Sequence, residues 1–350
     1  MEKPGQIDID KNPIRHESGI HTFYDDNLGD MQKTIPQYLS DTLNQVEAGH
    51  GTQHENSLYL NSSDSLESLM TLKLDGKRVM TVSGSGEFAH AFINAGATEI
   101  ICFDVSPAAA FNTELRHAAL CHLTMSEYTK LFGGWTKRRE SRNQFNPIWD
   151  EKVYNKVENY LSEEAKMFFR LIFREPKLIG TDEYSFNGFS RMRYNKKTRN
   201  NRFVGDIVMT EANYIELQNK AKKVKFTQVI SDVNTLDQLT QSYKPDLLYI
   251  SNIGYRPQTT IGIANKHLTR GVPEVMCTIS VNESEFNDTR LHHADDFYGF
   301  YYQDKKIQNG DKIVYALYDD KSRKEHKVKV EIVSTDRNAD YGLTLSVKRR

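Results

Sequence analysis

The stretch from Arg78 to Asp104, RVMTVSGSGEFAHAFINAGATEIICFD, constrains the fold of this chain more than any other. A β-rich apolar run from Val79 to Val82 breaks into the turn Ser83–Gly86, called the glycine turn below. An apolar helical face follows and ends at Gly96, and a second apolar run then ends in Asp104. This alternation predicts a strand, a glycine turn, a helix and a second, parallel strand, the beginning of an α/β fold.

The spacing of the glycines and the acid in this stretch is typical of a nucleoside-binding site. Gly84 and Gly86 carry no Cβ, so the backbone can turn sharply there and approach a ligand. Ser83 and Ser85 belong to the same turn and are expected to approach the ligand with it. The helix that follows directs N–H groups toward that ligand. Asp104 stands where an acid accepts hydrogen bonds from both ribose hydroxyls. The pattern fits a dinucleotide or S-adenosylmethionine, and an ordinary turn with a capping Asp is the alternative.

Composition excludes several classes of protein. Among 350 residues, 46 Lys and Arg balance 47 Asp and Glu, and a net charge of -1 argues against bulk binding of nucleic acid. Cys102, Cys121 and Cys277 are too few and too scattered for a disulfide framework or a zinc site, and predict buried thiols in a reducing compartment. No apolar run is long enough for a membrane span and the polar start lacks a secretory segment, so we expect a cytoplasmic protein with at most peripheral membrane contact.

The order of predicted elements divides the chain into four parts. Residues 1–56 are predicted as a polar arm, and no metal site is predicted there. Residues 57–135 contain the first part of a Rossmann-like domain. The third strand begins only near Lys225, so residues 136–224 are predicted as a mainly helical insertion or lid. Residues 225–350 complete the domain with alternating strands and helices and, beyond Asp311, a terminal antiparallel β addition.

The fold class that follows is an α/β, mostly parallel sheet with helices on both faces, a helical insertion after the second strand and C-terminal antiparallel strands. Polar tips at Ser83, Asp104, Asp232 and Ser251 then lie on one edge, where open α/β sheets bind ligands. Asp232 and the N–H of Val233 can pair with the edge of an adenine, which favours S-adenosylmethionine over a dinucleotide; Asp232 as a helix N-cap is the alternative. The predicted cofactor-binding residues are Ser83, Gly84, Ser85, Gly86, Asp104, Val105, Asp232, Val233 and Ser251.

A longer stretch, VMTVSGSGEFAHAFINAGATEIICFDVSPAAAFNTELRHAAL, resembles the cofactor-binding core of the betaine-lipid synthase family. The elements Asp104-x-x-Pro107, SEYTKLFGG and DLLYISNI follow in similar order. The resemblance implies a class I S-adenosylmethionine-binding fold and the transfer of a 3-amino-3-carboxypropyl group, with release of methylthioadenosine. A methyltransferase uses the same cofactor, and an NAD-dependent oxidoreductase uses a similar glycine turn. The acceptor is expected to be a hydroxyl or an amine, on a small molecule or a lipid headgroup.

The end of the fourth predicted strand supplies the candidates for acceptor binding. Asn252-Ile253-Gly254-Tyr255 stands where amino-methyltransferases carry Asn/Asp-Pro-Pro-Tyr, although both prolines are absent here. Asn252 and Tyr255 are therefore the predicted substrate-binding residues, with a simple strand-end turn as the alternative. Tyr255 and Tyr59 are the predicted catalytic residues, as candidates for a general base.

Overall fold

The computed structural model of this chain describes a single mixed sheet and the helices around it. The described residues are 14–15, 20–24, 66–104, 106–132, 150–174, 210–231, 235–251, 257–279, 312–319, 324–335 and 343–348. The strands are β1 (Ile14–Arg15), β2 (Ile20–Tyr24), β3 (Arg78–Val82), β4 (Glu99–Asp104), β5 (Lys225–Ile230), β6 (Leu247–Ser251), β7 (Glu274–Ile279), β8 (Lys312–Asp319), β9 (Lys324–Thr335) and β10 (Leu343–Lys348).

Helices alternate with these strands, as the sequence predicts. They are α1 (Glu67–Met70), α2 (Glu87–Asn94), α3 (Pro107–His122), α4 (Met125–Phe132), α5 (Glu151–Tyr154), a 3-10 helix (Glu158–Tyr160), α6 (Glu163–Arg174), α7 (Glu211–Ala221), α8 (Leu236–Tyr243) and α9 (Pro257–Thr269). At the start of α3, the Ser106 hydroxyl accepts the N–H of Ala109 at 3.2 Å and Pro107 is the first helical residue, as a Ser-Pro sequence favours. Within the predicted insertion, residues 151–160 form the short α5 and the 3-10 helix.

The strand order is β1-β2-β5-β4-β3-β6-β7-β10-β9-β8. Strand β3 pairs in parallel with both β4 and β6, and the parallel pairing continues to β5 and β2 on one side and to β7 on the other. Beyond β7, strands β10, β9 and β8 are each antiparallel to their neighbour. This confirms the predicted Rossmann-like α/β sheet with an antiparallel addition at its C-terminal end.

The direction of the chain across the sheet decides which face each helix covers. From β3 the chain moves outward to β4 and β5, and it then returns past β3 to β6 and β7. Because parallel crossovers are right-handed, this reversal places α8 and α9 on the face opposite α2, α3 and α7. Side-chain contacts agree: His117 of α3 stacks on Phe226 of β5 with ring centroids 4.1 Å apart, and Thr240 of α8 lies 3.3 Å from His267 of α9.

Helix α3 is the central element of the first face. Every residue from Pro107 to Cys121 is buried, because the helices of the predicted insertion pack around it. The fully buried Glu114 carboxylate accepts both the N–H and, at 2.9 Å, the hydroxyl of Ser162 at the start of α6. From the other side, Tyr214 of α7 donates its hydroxyl to the carbonyl of Leu123 at 3.0 Å. These contacts attach the described part of the insertion to α3.

Three further expectations meet the structure here. Strand β2 lies in a part of the chain predicted as a polar arm, yet it pairs in parallel with β5 from Ile20 to Tyr24. The three cysteines are free and buried, as expected, and burial raises the pKa of the Cys121 thiol to about 12. No helix among the described residues has both the length and the apolar character that crossing a membrane requires. The division of the chain into four parts remains a prediction.

Candidate functional site

The glycine turn and Asp104 meet at the carboxyl edge of the sheet, where β3 and β4 end side by side. One oxygen of the Asp104 carboxylate accepts the Gly84 N–H at 3.0 Å, and the other accepts the Ser106 N–H at 3.0 Å. The side chain therefore joins the loop after β3 to the loop after β4. Gly84 and Asp104 are both only half-buried, so this joint faces the solvent at the strand tips.

The backbone conformation explains the two glycines of the turn. Gly84 has a φ of 50° and Gly86 a φ of 85°, both in the left-handed region that favours glycine. A Cβ on Gly86 would lie 3.0 Å from Cδ of Arg116 and 3.1 Å from Cα of Thr113. The close approach that requires Gly86 is thus an approach of helix α3. The sequence interpretation assigned that role to a ligand.

The two serines of the turn are fixed from within the protein. The Ser83 hydroxyl is fully buried and accepts the side-chain amide of Gln228 at 2.7 Å. The Ser85 hydroxyl donates to the Glu87 carboxylate at 3.1 Å, and the Ser85 carbonyl accepts the side-chain amide of Asn112 at 3.2 Å. Because both serine side chains face buried protein groups, their contact with a ligand would involve the backbone.

A buried ion pair lies directly beneath the turn. Glu87 and Arg116 are nearly inaccessible to solvent, and the Glu87 carboxylate lies 3.9 Å from the Arg116 guanidinium. The guanidinium also lies over the ring of Phe132, 4.5 Å from its centroid, and donates to the Tyr128 hydroxyl at 3.5 Å. Burial raises the pKa of Tyr128 to about 12, so its hydroxyl stays protonated. Removing one partner of such a pair would leave an uncompensated charge in the protein interior, which is strongly destabilising. The pair therefore couples the position of the turn to that of α3 and α4.

Two buried histidines lie further along the same face. The ring centroids of His90 and His117 are 6.5 Å apart, and neither ring nitrogen of His90 has a hydrogen-bond partner among the described residues. Burial, with smaller contributions from His117 and Arg116, lowers the pKa of His90 well below 6.5. Burial, with a smaller contribution from His122, lowers the pKa of His117 to about 3. Both rings are therefore neutral at physiological pH.

The structure brings five of the predicted cofactor-binding residues together: Ser83, Gly84, Ser85, Gly86 and Asp104. Ser251 ends β6 on the same edge and is buried. Ser231, the residue before Asp232, donates its N–H to the Asp104 carbonyl at 2.8 Å, so the third strand ends beside the second. The other predicted residues, Val105, Asp232, Val233, Asn252, Tyr255 and Tyr59, lie outside the described residues. In the ranges that are described, no group of three or more His, Cys, Asp or Glu could hold a metal ion.

The sequence reasoning missed the buried polar residues that support the turn: Glu87, Asn112, Arg116 and Gln228. One signal was present, since α3 carries Asn112, Thr113, Glu114 and Arg116 on successive sides of a helix that also has an apolar stripe. A helix with polar residues on most of its sides is usually exposed to solvent. It can be buried, as α3 is, only where other helices surround it and its polar groups are paired. Nothing in the sequence indicates that Gln228, inside an apolar strand, reaches Ser83.

Comparisons with known proteins add little. Neither the protein-family models nor the curated proteins include a match to this chain. Among solved structures it is similar to SMU.776, a candidate methyltransferase complexed with SAH, with 10% sequence identity and a TM-score of 0.29. The match covers 81% of this chain and 48% of that chain, so this chain spans about half the length of that structure. A similarity at this level carries no argument about the ligand or the activity.

The close contact of Gly86 with α3 leads to a prediction about stability. Replacing Gly86 with Ala should lower the free energy of unfolding by about 3 kcal/mol, because a left-handed residue with a Cβ costs about 1–2 kcal/mol and the clash with Thr113 adds to it. Gly76→Ala is the matched control, since Gly76 has a φ of 72° and no atom within 4 Å of its Cβ position. Urea unfolding measures both losses, and equal losses would contradict the assigned contact.

The neutral histidines lead to a prediction about pH. Unfolded histidines bind protons below about pH 6.5, whereas the folded His117 does so only near pH 3, so the free energy of unfolding should fall as the pH drops through this range. The slope is about 1.4 kcal/mol per pH unit for each such ring. The variant His117→Phe keeps an aromatic ring beside Phe226 but cannot bind a proton there. When urea unfolding is measured between pH 7 and pH 5, its free energy of unfolding should depend on pH less steeply than that of the native chain, by the contribution of one histidine. An unchanged slope would show that His117 takes up protons in the folded state.

Proposed function

We propose that this chain is an S-adenosylmethionine-dependent transferase. The observation that supports the proposal best is the contact between Asp104 and Gly84, which places an acid and a glycine turn together at the carboxyl edge. This is also where the strand order reverses, because β4 and β6 flank β3. In open α/β sheets ligands bind in the crevice at such a reversal.

The donor and acceptor groups present fit the nucleoside part of the cofactor. A carboxylate offers about four acceptor positions, so holding backbone N–H groups is compatible with accepting two ribose hydroxyls. Gly84 lies beside it, half-buried, with its backbone in the left-handed region. We assign the ribose contact to Asp104 and the contact with the amino-acid end to the backbone of the glycine turn. Val105, Asp232, Val233 and Ser251 complete the proposed cofactor-binding set.

The strand order favours this cofactor over a dinucleotide. In the dinucleotide-binding order six parallel strands follow 3-2-1-4-5-6, whereas here the antiparallel β10 occupies the position beside β7. The C-terminal antiparallel strands agree with the S-adenosylmethionine-binding fold that the sequence resembles.

The group transferred is proposed to be the 3-amino-3-carboxypropyl group, on the resemblance of the sequence to the betaine-lipid synthase family. An acceptor oxygen or nitrogen would form a bond to the γ-carbon of the 3-amino-3-carboxypropyl group. The bond between that carbon and sulfur would break at the same time, and the electron pair of the broken bond would remain on the sulfur of methylthioadenosine. The sulfonium supplies the activated carbon, so the protein mainly positions the acceptor in line. Methyl transfer to an N or O acceptor is the second candidate, and hydride transfer with NAD is the third.

The acceptor is proposed to be a hydroxyl or an amine on a small molecule or a lipid headgroup. Asn252 and Tyr255 follow β6, which ends on the same edge as the glycine turn, and are assigned to acceptor binding. Tyr255 or Tyr59, in its phenolate form, is proposed to take the acceptor proton as a general base and so become a neutral phenol. This assignment rests on their positions in the sequence and on the edge at which β6 ends.

The identity of the leaving product distinguishes the candidate reactions. Incubation with S-adenosylmethionine and a panel of hydroxyl and amine acceptors should yield methylthioadenosine, measured by mass spectrometry. S-Adenosylhomocysteine as the product would instead identify a methyltransferase. Thermal stabilisation by NAD but not by S-adenosylmethionine would exclude both transferases, since a ligand at 100 times its dissociation constant stabilises by about 2.7 kcal/mol.

The ribose contact can be tested separately from the turn. Asp104→Asn removes the charge of the proposed ribose acceptor, so affinity for methylthioadenosine should fall about tenfold or more, measured by calorimetry. The same substitution can also loosen the turn, so the control is a second ligand, 2′-deoxy-methylthioadenosine, which lacks one of the two ribose hydroxyls. The affinities of both ligands are compared in the native chain and in the variant. The native chain should discriminate against the deoxy ligand, and the variant should lose that discrimination. Equal discrimination in both would place the ribose elsewhere.

A further inference from the structure

The connection between β5 and α8 is fixed at its two ends by a pair of hydroxyl groups. Ser231 is the first residue after β5, and Thr235 is the residue before α8. Their side-chain hydroxyls share a hydrogen bond, and both residues are buried. Only three residues separate them in the sequence. This hydroxyl pair, Ser231 and Thr235, therefore joins the ends of a short connection.

The position of Thr235 would normally give its hydroxyl another role. Thr235 is the N-cap of α8, and a threonine there usually accepts a backbone N–H of the first helical turn. The Thr235 side chain makes no such capping bond. Its hydroxyl contacts Ser231 on the other side of the connection. The pair thus holds the connection between β5 and α8, and the start of the helix does not require it.

The hydroxyl pair is joined directly to the proposed ribose site. Ile230, the last residue of β5, pairs in register with Asp104, and Ser231 donates its N–H to the Asp104 carbonyl at 2.8 Å. One backbone hydrogen bond therefore separates the pair from the acid proposed to bind the ribose. The three residues between Ser231 and Thr235 include Asp232 and Val233, which the proposed function assigns to the cofactor.

We propose that Ser231 and Thr235 are positioning residues for the base of the bound nucleoside, and that their hydroxyl pair makes the site selective for adenine. The inference rests on the proposed function. A hydrogen bond between the two ends of a connection reduces the number of conformations open to the residues between them. Polar groups held in this way can distinguish bases of similar shape, because they cannot turn to suit a wrong one.

The choice of base follows from the hydrogen-bonding groups on either side. A carboxylate only accepts hydrogen bonds, and a backbone N–H only donates one. Adenine offers a donor at its 6-amino group and an acceptor at N1, so it fits the Asp232 carboxylate and the Val233 N–H. Hypoxanthine offers an acceptor and a donor at the same two positions. The pairing is then reversed at both, and each mismatch leaves a polar group unpaired.

Two nucleosides that differ only in the base test the inference. The native chain should bind methylthioadenosine about a hundredfold more tightly than methylthioinosine in calorimetry, since two hydrogen bonds are lost. Thr235→Val keeps the shape of the side chain but removes the hydroxyl, so this preference should fall about tenfold. Ser231→Ala removes the other hydroxyl and should have the same effect. Thr235→Ser retains a hydroxyl and should keep the native preference.

A matched variant and a second ligand control for general loosening of the protein. Thr240 is also a buried threonine of α8, but its hydroxyl donates to the Asp237 carbonyl at 3.1 Å, so Thr240→Val should keep the native preference. In Thr235→Val the preference for methylthioadenosine over its 2′-deoxy form should also persist, because Asp104 is unchanged. A variant that loses only the preference for the base has lost the positioning of the base.

The outcomes separate this inference from the proposed function. A native chain that binds neither methylthioadenosine nor methylthioinosine overturns the proposed function and this inference with it. A native chain that binds both bases equally overturns the inference alone. So does a preference for adenine that survives in both Thr235→Val and Ser231→Ala, or a fall in the base preference matched by an equal fall in the ribose preference. If Thr235→Val does not fold, Ser231→Ala decides by the same criteria.

Discussion

The parallel pairing of β3 with β4 on one side and β6 on the other is the constraint on which the rest of this structure depends. It aligns the strands so that their carboxyl ends share an edge, and it makes the chain reverse direction there. The reversal sends α2 and α3 to one face and α8 and α9 to the other. Open α/β sheets bind ligands at such a reversal, and the glycine turn lies at this one. Position in the sheet, more than any single side chain, makes this edge the candidate site.

The turn itself is held from below by buried polar groups. Gln228 supports Ser83, Asn112 supports the Ser85 carbonyl, and Glu87 connects the Ser85 hydroxyl to Arg116. Buried polar groups are costly when unpaired, so this network is stable only with the turn and α3 in one arrangement. A turn fixed in this way does not have to be ordered by a ligand, which lowers the entropic cost of binding.

The part of the fold that could be predicted from the sequence is the part whose signals are local. The strand before the glycine turn, the Ser106 cap and the αL glycine at 96 each depend on neighbouring residues, and all are present in the structure. Strand β2 was missed because its short, mixed sequence IHTFY becomes a strand only by pairing with β5, some 200 residues later. Gln228 and Asn112 were missed for the same reason, since their roles depend on contacts between distant segments.

Two acids beside the same turn illustrate how environment divides their roles. Glu87 is almost completely buried against Arg116, so its charge is compensated inside the protein and serves to hold α2, α3 and the turn together. Asp104 ends a strand, is only half-buried and accepts backbone N–H groups from both loops at the solvent-facing edge. A carboxylate already fixed by two backbone donors needs little reorganisation to accept a ligand's hydroxyls. The sequence predicted Asp104 from its spacing alone, and the burial of Glu87 explains why the nearer acid is not the one proposed to contact the ligand.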